Sequence, residues 1–75
     1  MSYHPLRVVC YAGYRAEETP RRFYLGDQCI TVRVVVNHWL EPDYRYFKVT
    51  GDDDRQYLLR YATTTRQWEI SGEKI

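Results

Sequence analysis

Seventy-five residues with 11 basic and 10 acidic side chains make one small domain of net charge +1, which excludes a global field drawing the chain to nucleic acid or an anionic membrane. A chain this short hides only about 60% of its extended surface, so nearly every large apolar side chain must serve the core, leaving little room for a deep internal pocket. No run of about 18 apolar residues and no apolar leader occur, and the cysteines stand singly, so neither a membrane span, a signal peptide nor a zinc site is expected.

Period-two alternation rich in Val, Tyr, Thr and Ile runs from residue 6 to residue 70, and no segment carries a 3.6-residue period. Residues 6–12 read as the first strand, with His4 in a mobile N-terminus and the ordered core at about residues 6–70. Residues 13–20 break that strand, since Gly13, Pro20 and the polar stretch between them favour irregular backbone. Residues 21–25 and 28–40 flank Gly26-Asp27, a dipeptide suited to a tight hairpin.

Thirteen straight residues, 28–40, would span about 43 Å at roughly 3.3 Å each. A domain of this size has a radius of gyration of only about 11 Å, so this strand must bend. Val34-Val35-Val36 offers apolar side chains to both faces, which lets the buried side switch midway. Bent strands turn the corners of small barrels.

Glu41-Pro42-Asp43 is the next turn. Residues 44–50 and 55–61 then flank Asp52, Asp53 and Asp54. An even loop would set Arg45 opposite Arg60. An odd loop places Phe47, Val49, Tyr57, Leu59 and Tyr61 on one face and Tyr44, Tyr46, Lys48, Gln56, Leu58 and Arg60 on the other. Segregation of apolar side chains selects the odd loop. The aspartates then sit at a wet tip, in turns of their own making, with Gly51 assigned to a positive-φ position. Calcium would need six to eight oxygens, and acid–base work needs a dry carboxylate. Residues 67–70 close the meander, with Trp68 in step with Ile70 as core. The expected fold is all-β: an antiparallel meander of five or six strands curled into a partly open barrel.

No catalytic signature is present. Cys10 with His38 is the one nucleophile–base pairing to weigh, and it gives a remote reading as a Cys-dependent hydrolase. Its bland alternative is a small core thiol and a histidine capping a strand end. Tyr44, Tyr46, Lys48 and Arg60 form an aromatic and basic outer face, joined by Arg33 and Trp39 if the long strand bends. Such faces bind protein partners, or stack bases while cations track phosphates. They also arise from plain cross-strand packing.

"GY" at Gly13-Tyr14, Pro20-x-x-Phe23, Trp39 before an acidic turn, "YFKV" from Tyr46, "YLLRY" from Tyr57 and "QWEI" from Gln67 occur in this order. Together they resemble a group of small, uncharacterised bacterial proteins known only as a domain of unknown function, over residues 11–70. The resemblance implies a compact β fold in a bacterial cytoplasm and brings no catalytic residue, cofactor or substrate. Strand count and the bent strand are also similar to SH3-like barrels, an analogy of fold that does not license function.

The expected function is a non-catalytic interaction module in a reducing cytoplasm. It would bind a protein partner through the aromatic and arginine-rich face or through a strand edge, as a monomer or weak homodimer, with no cofactor, metal or membrane contact. The alternative is single-stranded nucleic acid on the same face. A disulfide between Cys10 and Cys29 stays open, because its geometry cannot be seen in sequence.

Overall fold

A computed structural model describes residues 3–10 and 19–71. They form six strands: β1 (Tyr3–Cys10), β2 (Pro20–Leu25), β3 (Gln28–Glu41), β4 (Tyr44–Gly51), β5 (Gln56–Ala62) and β6 (Gln67–Ser71). Each is antiparallel to its neighbours, and β1 pairs with both β2 and β6, so the ring closes beyond the partly open barrel expected. Among the described residues no helix is long and apolar enough to cross a membrane.

Two strands are shared between two sheets. β1 gives residues 3–6 to β6 and residues 7–10 to β2. β3 gives residues 28–31 to β2 and, from Val32 onward, pairs with β4. Strands that switch sheets make the corners of such a barrel. The longest dimension of the molecule is 29 Å, so the 14 residues of β3 are indeed bent. The bend has a visible cause in two register shifts against β4, between Val32 and Val34 and between Val35 and Asn37. Each shift swaps the buried side once. Val32 and Val35 pack on the core, whereas Val34 and Val36 stay exposed.

The β4–β5 hairpin takes the odd-loop register. Phe47 lies opposite Leu59 and Val49 opposite Tyr57, while Tyr46 lies opposite Arg60 and Lys48 opposite Leu58. With Phe23, Ile30, Trp68 and Ile70, the inward residues Val49 and Leu59 make the buried core. Trp68 meets Phe47 at 5.5 Å and Tyr61 at 5.2 Å between ring centroids, and Phe23 meets Tyr57 edge-on at 5.1 Å. Concentrating aromatic side chains inside gives a short chain a large buried apolar area.

Three expectations need correction. β1 starts at Tyr3, so His4 is no mobile tail but a strand residue opposite Ile70; residues 11 and 12 of the expected strand, and most of the break after it, lie outside the described residues. β2 starts at Pro20, a first-strand position that needs no ladder N–H. Gly51 does not adopt positive φ; in the hairpin that conformation falls on Asp54, at φ 65°. Gly51 is needed for space instead. A Cβ there would stand 2.6 Å from Ile30 Cγ2 and 2.7 Å from Asp53 Oδ1.

Candidate functional site

On β4, turning Phe47 and Val49 inward sends Tyr44, Tyr46 and Lys48 outward. Cross-strand pairing sets Arg60 of β5 beside Tyr46, and Glu69 of β6 beside Arg60. On the other side Trp39 of β3 lies opposite Tyr46. The two shifts in β3 cancel, so Trp39 returns to the outer face that simple alternation from Ile30 assigns it.

The result is a continuous row across five strands. Trp39 and Tyr46 stack with centroids 5.1 Å apart and planes within 8° of parallel. Tyr44 follows at 6.0 Å from Tyr46. Arg60 comes next, its guanidinium carbon 4.1 Å from the Tyr44 centroid and 3.6 Å from that of Tyr3. Arg60 Nε donates to Glu69 Oε1 at 2.6 Å. A cation between two rings and against a carboxylate is held by quadrupole and charge together.

Burial works to lower the Arg60 pKa, but hydrogen bonding with Glu69 and Tyr46 together with the charges of Glu69 and Tyr44 outweighs it and holds the pKa above the ordinary value. Burial raises the Tyr3 hydroxyl pKa, and Tyr46 adds to the rise while Arg60 opposes it. Trp39 is 36% exposed, the most open ring of the row. The face therefore has a closed end at Arg60 and an open, flat end at Trp39 and Tyr46.

Of the six residues singled out in the sequence, Trp39, Tyr46, Tyr44 and Arg60 are brought together. Lys48 borders the row, beside Asn37 and Leu58. Arg33 goes elsewhere. Its guanidinium pairs with the Asp54 carboxylate and donates to the Asp52 carbonyl at 3.1 Å, because β3 bends between Arg33 and Trp39 and carries Arg33 to the hairpin tip. Tyr3 and Glu69 were not anticipated. Tyr3 falls before residue 6, in the segment expected to be a mobile N-terminus, although the alternation of Leu6 and Val8 extended backwards puts Tyr3 on the outer face. Glu69 between Trp68 and Ile70 was legible as outward, and only its facing residue was not.

The three aspartates build the turn. Asp53 Oδ1 accepts the Arg55 N–H at 3.1 Å and its Oδ2 accepts the Tyr57 hydroxyl at 2.5 Å. The Asp54 N–H closes onto the Gly51 carbonyl at 3.0 Å. Among the described residues no three His, Cys, Asp or Glu side chains gather as metal ligands. Cys10 packs half-buried against the core and Cys29 is exposed; both are thiols. His38 is exposed and stacks on Phe47 at 6.2 Å. An open hollow at the end of the barrel has Leu6, Leu25 and Ile70 among its apolar lining and His4, Arg55 and Tyr57 among its polar groups.

No protein-family model matches the chain, and no curated protein and no solved structure matches it either.

Proposed function

We propose that this domain is a non-catalytic interaction module that binds a protein partner on the outer face of β3 and β4. The stacked Trp39–Tyr46 pair carries this reading: two large rings lie flat on the outside of a barrel whose other aromatic pairs largely line the core. Trp and Tyr supply contact area at low conformational cost, with polar atoms at their edges, and recur at the centres of interfaces. Tyr44 widens the platform, and Arg60, clamped by Tyr3, Tyr44 and Glu69, stiffens its base. A stiff platform loses little entropy when a partner lands on it.

The same stack offers a surface to a nucleobase. Against that reading, two of the expected cations are already neutralised, Arg60 by Glu69 and Arg33 by Asp54. The net charge of +1 supplies no field to replace them.

The test is selection of peptides from a displayed library against the wild-type domain and a Trp39→Ala variant. Bound peptides should shift the backbone amide signals of Trp39, Tyr46, Tyr44 and Lys48, and their affinity should drop at least about tenfold in the variant. Shifts clustered at the opposite side of the barrel would remove this face. Binding of a single-stranded oligonucleotide that weakens steeply with salt would transfer the face to nucleic acid.

A further inference from the structure

Beyond the partner face, and without relying on it, we infer that the open edge of β3 pairs with the same edge of a second copy, as an antiparallel two-strand junction centred on Trp39. Four observations converge on these few residues. β2 pairs with β3 only through residues 28–31, so among the described residues no strand lies against the other edge of residues 37–41. Among the described residues the four exposed large hydrophobic side chains all lie on β3: Val34 at 51%, Val36 at 47%, Trp39 at 36% and Leu40 at 74%. The stretch carries neither Pro nor Lys, the residues that usually blunt a strand edge. The His38 N–H takes the Asn37 side-chain oxygen at 2.9 Å, a local substitute for the main-chain acceptor a neighbouring strand would offer.

The register follows from where β3 is regular. The two shifts end at Asn37, and from there to Glu41 each residue meets one residue of β4. Trp39 is the midpoint of that five-residue run. A two-fold axis through it sets Trp39 against Trp39 of the second copy, His38 against Leu40, and Asn37 against Glu41. Such a junction is isologous and closes at two chains. His38 and Leu40, whose main-chain groups point to the edge, supply the hydrogen bonds, and Asn37 releases the His38 N–H to its new acceptor.

Side chains reinforce this alignment on the outer face. The stack continues as Tyr46, Trp39, Trp39 and Tyr46 across both copies. Glu41 reaches the strand position flanked by Lys48 of the second copy, because Asn37 lies between them in the ladder, so opposite charges approach twice. On the other face Leu40 covers His38 of the second copy. Cross-strand aromatic and opposite-charge pairs are the kind that stabilise an antiparallel ladder. So small a junction gives a weak, concentration-dependent dimer.

Sedimentation of the full chain between about 20 µM and about 1 mM reads the equilibrium directly. The wild type should move from monomer to dimer, and Leu40→Lys and His38→Pro should each stay monomeric. Leu40 is open to solvent, and the His38 N–H is not part of the β4 ladder, so the fold tolerates both changes, which amide spectra check. The register is read by oxidation in a background with Cys10→Ala and Cys29→Ser. Trp39→Cys should cross-link to itself several-fold faster than Leu40→Cys, since only residues opposite themselves bring their Cβ atoms within about 5 Å. A wild type that is monomeric throughout, as when another segment of the same chain takes the edge, overturns the inference. So does a dimer indifferent to both edge variants. Faster cross-linking at residue 40 overturns the register.

Discussion

Tyr57 donates its hydroxyl to Asp53 at 2.5 Å, tying the tip of the β4–β5 hairpin to the strand that leaves it. Each group moves the other's proton affinity. The hydrogen bond from Tyr57 is the main cause that lowers the Asp53 pKa. Burial, then the Asp53 bond and charge, push Tyr57 up to about 12 from the ordinary 10.0.

The stability these groups contribute has opposite windows. Asp53 stays ionised to lower pH in the folded chain than in the unfolded one. Its contribution is whole above 3.8 and disappears as pH falls through the lowered folded value. Tyr57 stays protonated to higher pH when folded. Its contribution is whole below 10.0 and is lost as pH climbs through about 12. In Asp53→Asn, the Tyr57 pKa should fall yet remain above 10.0, because burial, its largest cause, is untouched. Carbon NMR titration of labelled tyrosine follows this directly. A Tyr57 pKa unchanged by the substitution would exclude the coupling.

The two glycines of the turns should fail differently. Gly51→Ala drives a methyl into Ile30 at the core, a collision that costs about 1–3 kcal/mol. Gly26, at φ +57° with nothing within 4 Å, meets only the backbone penalty of about 1–2 kcal/mol for an L-residue there. Urea unfolding should give a loss for both. Only Gly51→Ala should also disturb the methyl signals of Ile30.

Arg66 holds φ 59° in the turn between β5 and β6, with its N–H on the Ala62 carbonyl at 2.7 Å. Glycine removes the steric cost at that backbone conformation and returns part of the gain through a more flexible unfolded chain. Arg66→Gly should therefore stabilise the domain by about 0.5–1 kcal/mol. A lower thermal midpoint than wild type would contradict the assignment.

Arg60 and Glu69 are only 18% and 26% exposed, between the regimes of a surface pair and a buried one. Glu69→Gln leaves a half-buried cation without its counter-charge and should cost about 1–2 kcal/mol. Arg60→Lys keeps the charge but loses the planar contact with Tyr3 and Tyr44, a further reason to expect about 1 kcal/mol. Because both groups are largely shielded, added salt should leave most of the Glu69→Gln deficit in place. A deficit that vanishes in salt would mark the pair as superficial.

Where one side of a ribbon must be buried, the sequence was readable. Phe47, Val49, Tyr57, Leu59 and Tyr61 are inward for that reason, and their outward neighbours Tyr44, Tyr46 and Arg60 followed. The bend in β3 followed from length alone, since a straight strand would not fit. What stayed hidden depends on contacts between residues distant in the chain. Gly51 looks like a turn glycine until Ile30 is known to sit above it. Arg33 looks like part of the aromatic face until the bend swings it to Asp54. Tyr3 looks like a loose end until β6 arrives to pair with β1, and with it the last ring of the Arg60 clamp comes into place.

The sharing of β1 between β6 and β2 sets an order of events for a nascent chain. On the ribosome, the first half of β1 has no strand to join until β6 has emerged, and Tyr3 then comes to lie across the ladder from Ser71. The barrel closes last at this seam. A circularly permuted chain that links residue 71 to residue 3 through a short tether and opens instead at the turn between β3 and β4 would make the seam local, and should fold faster into the same barrel.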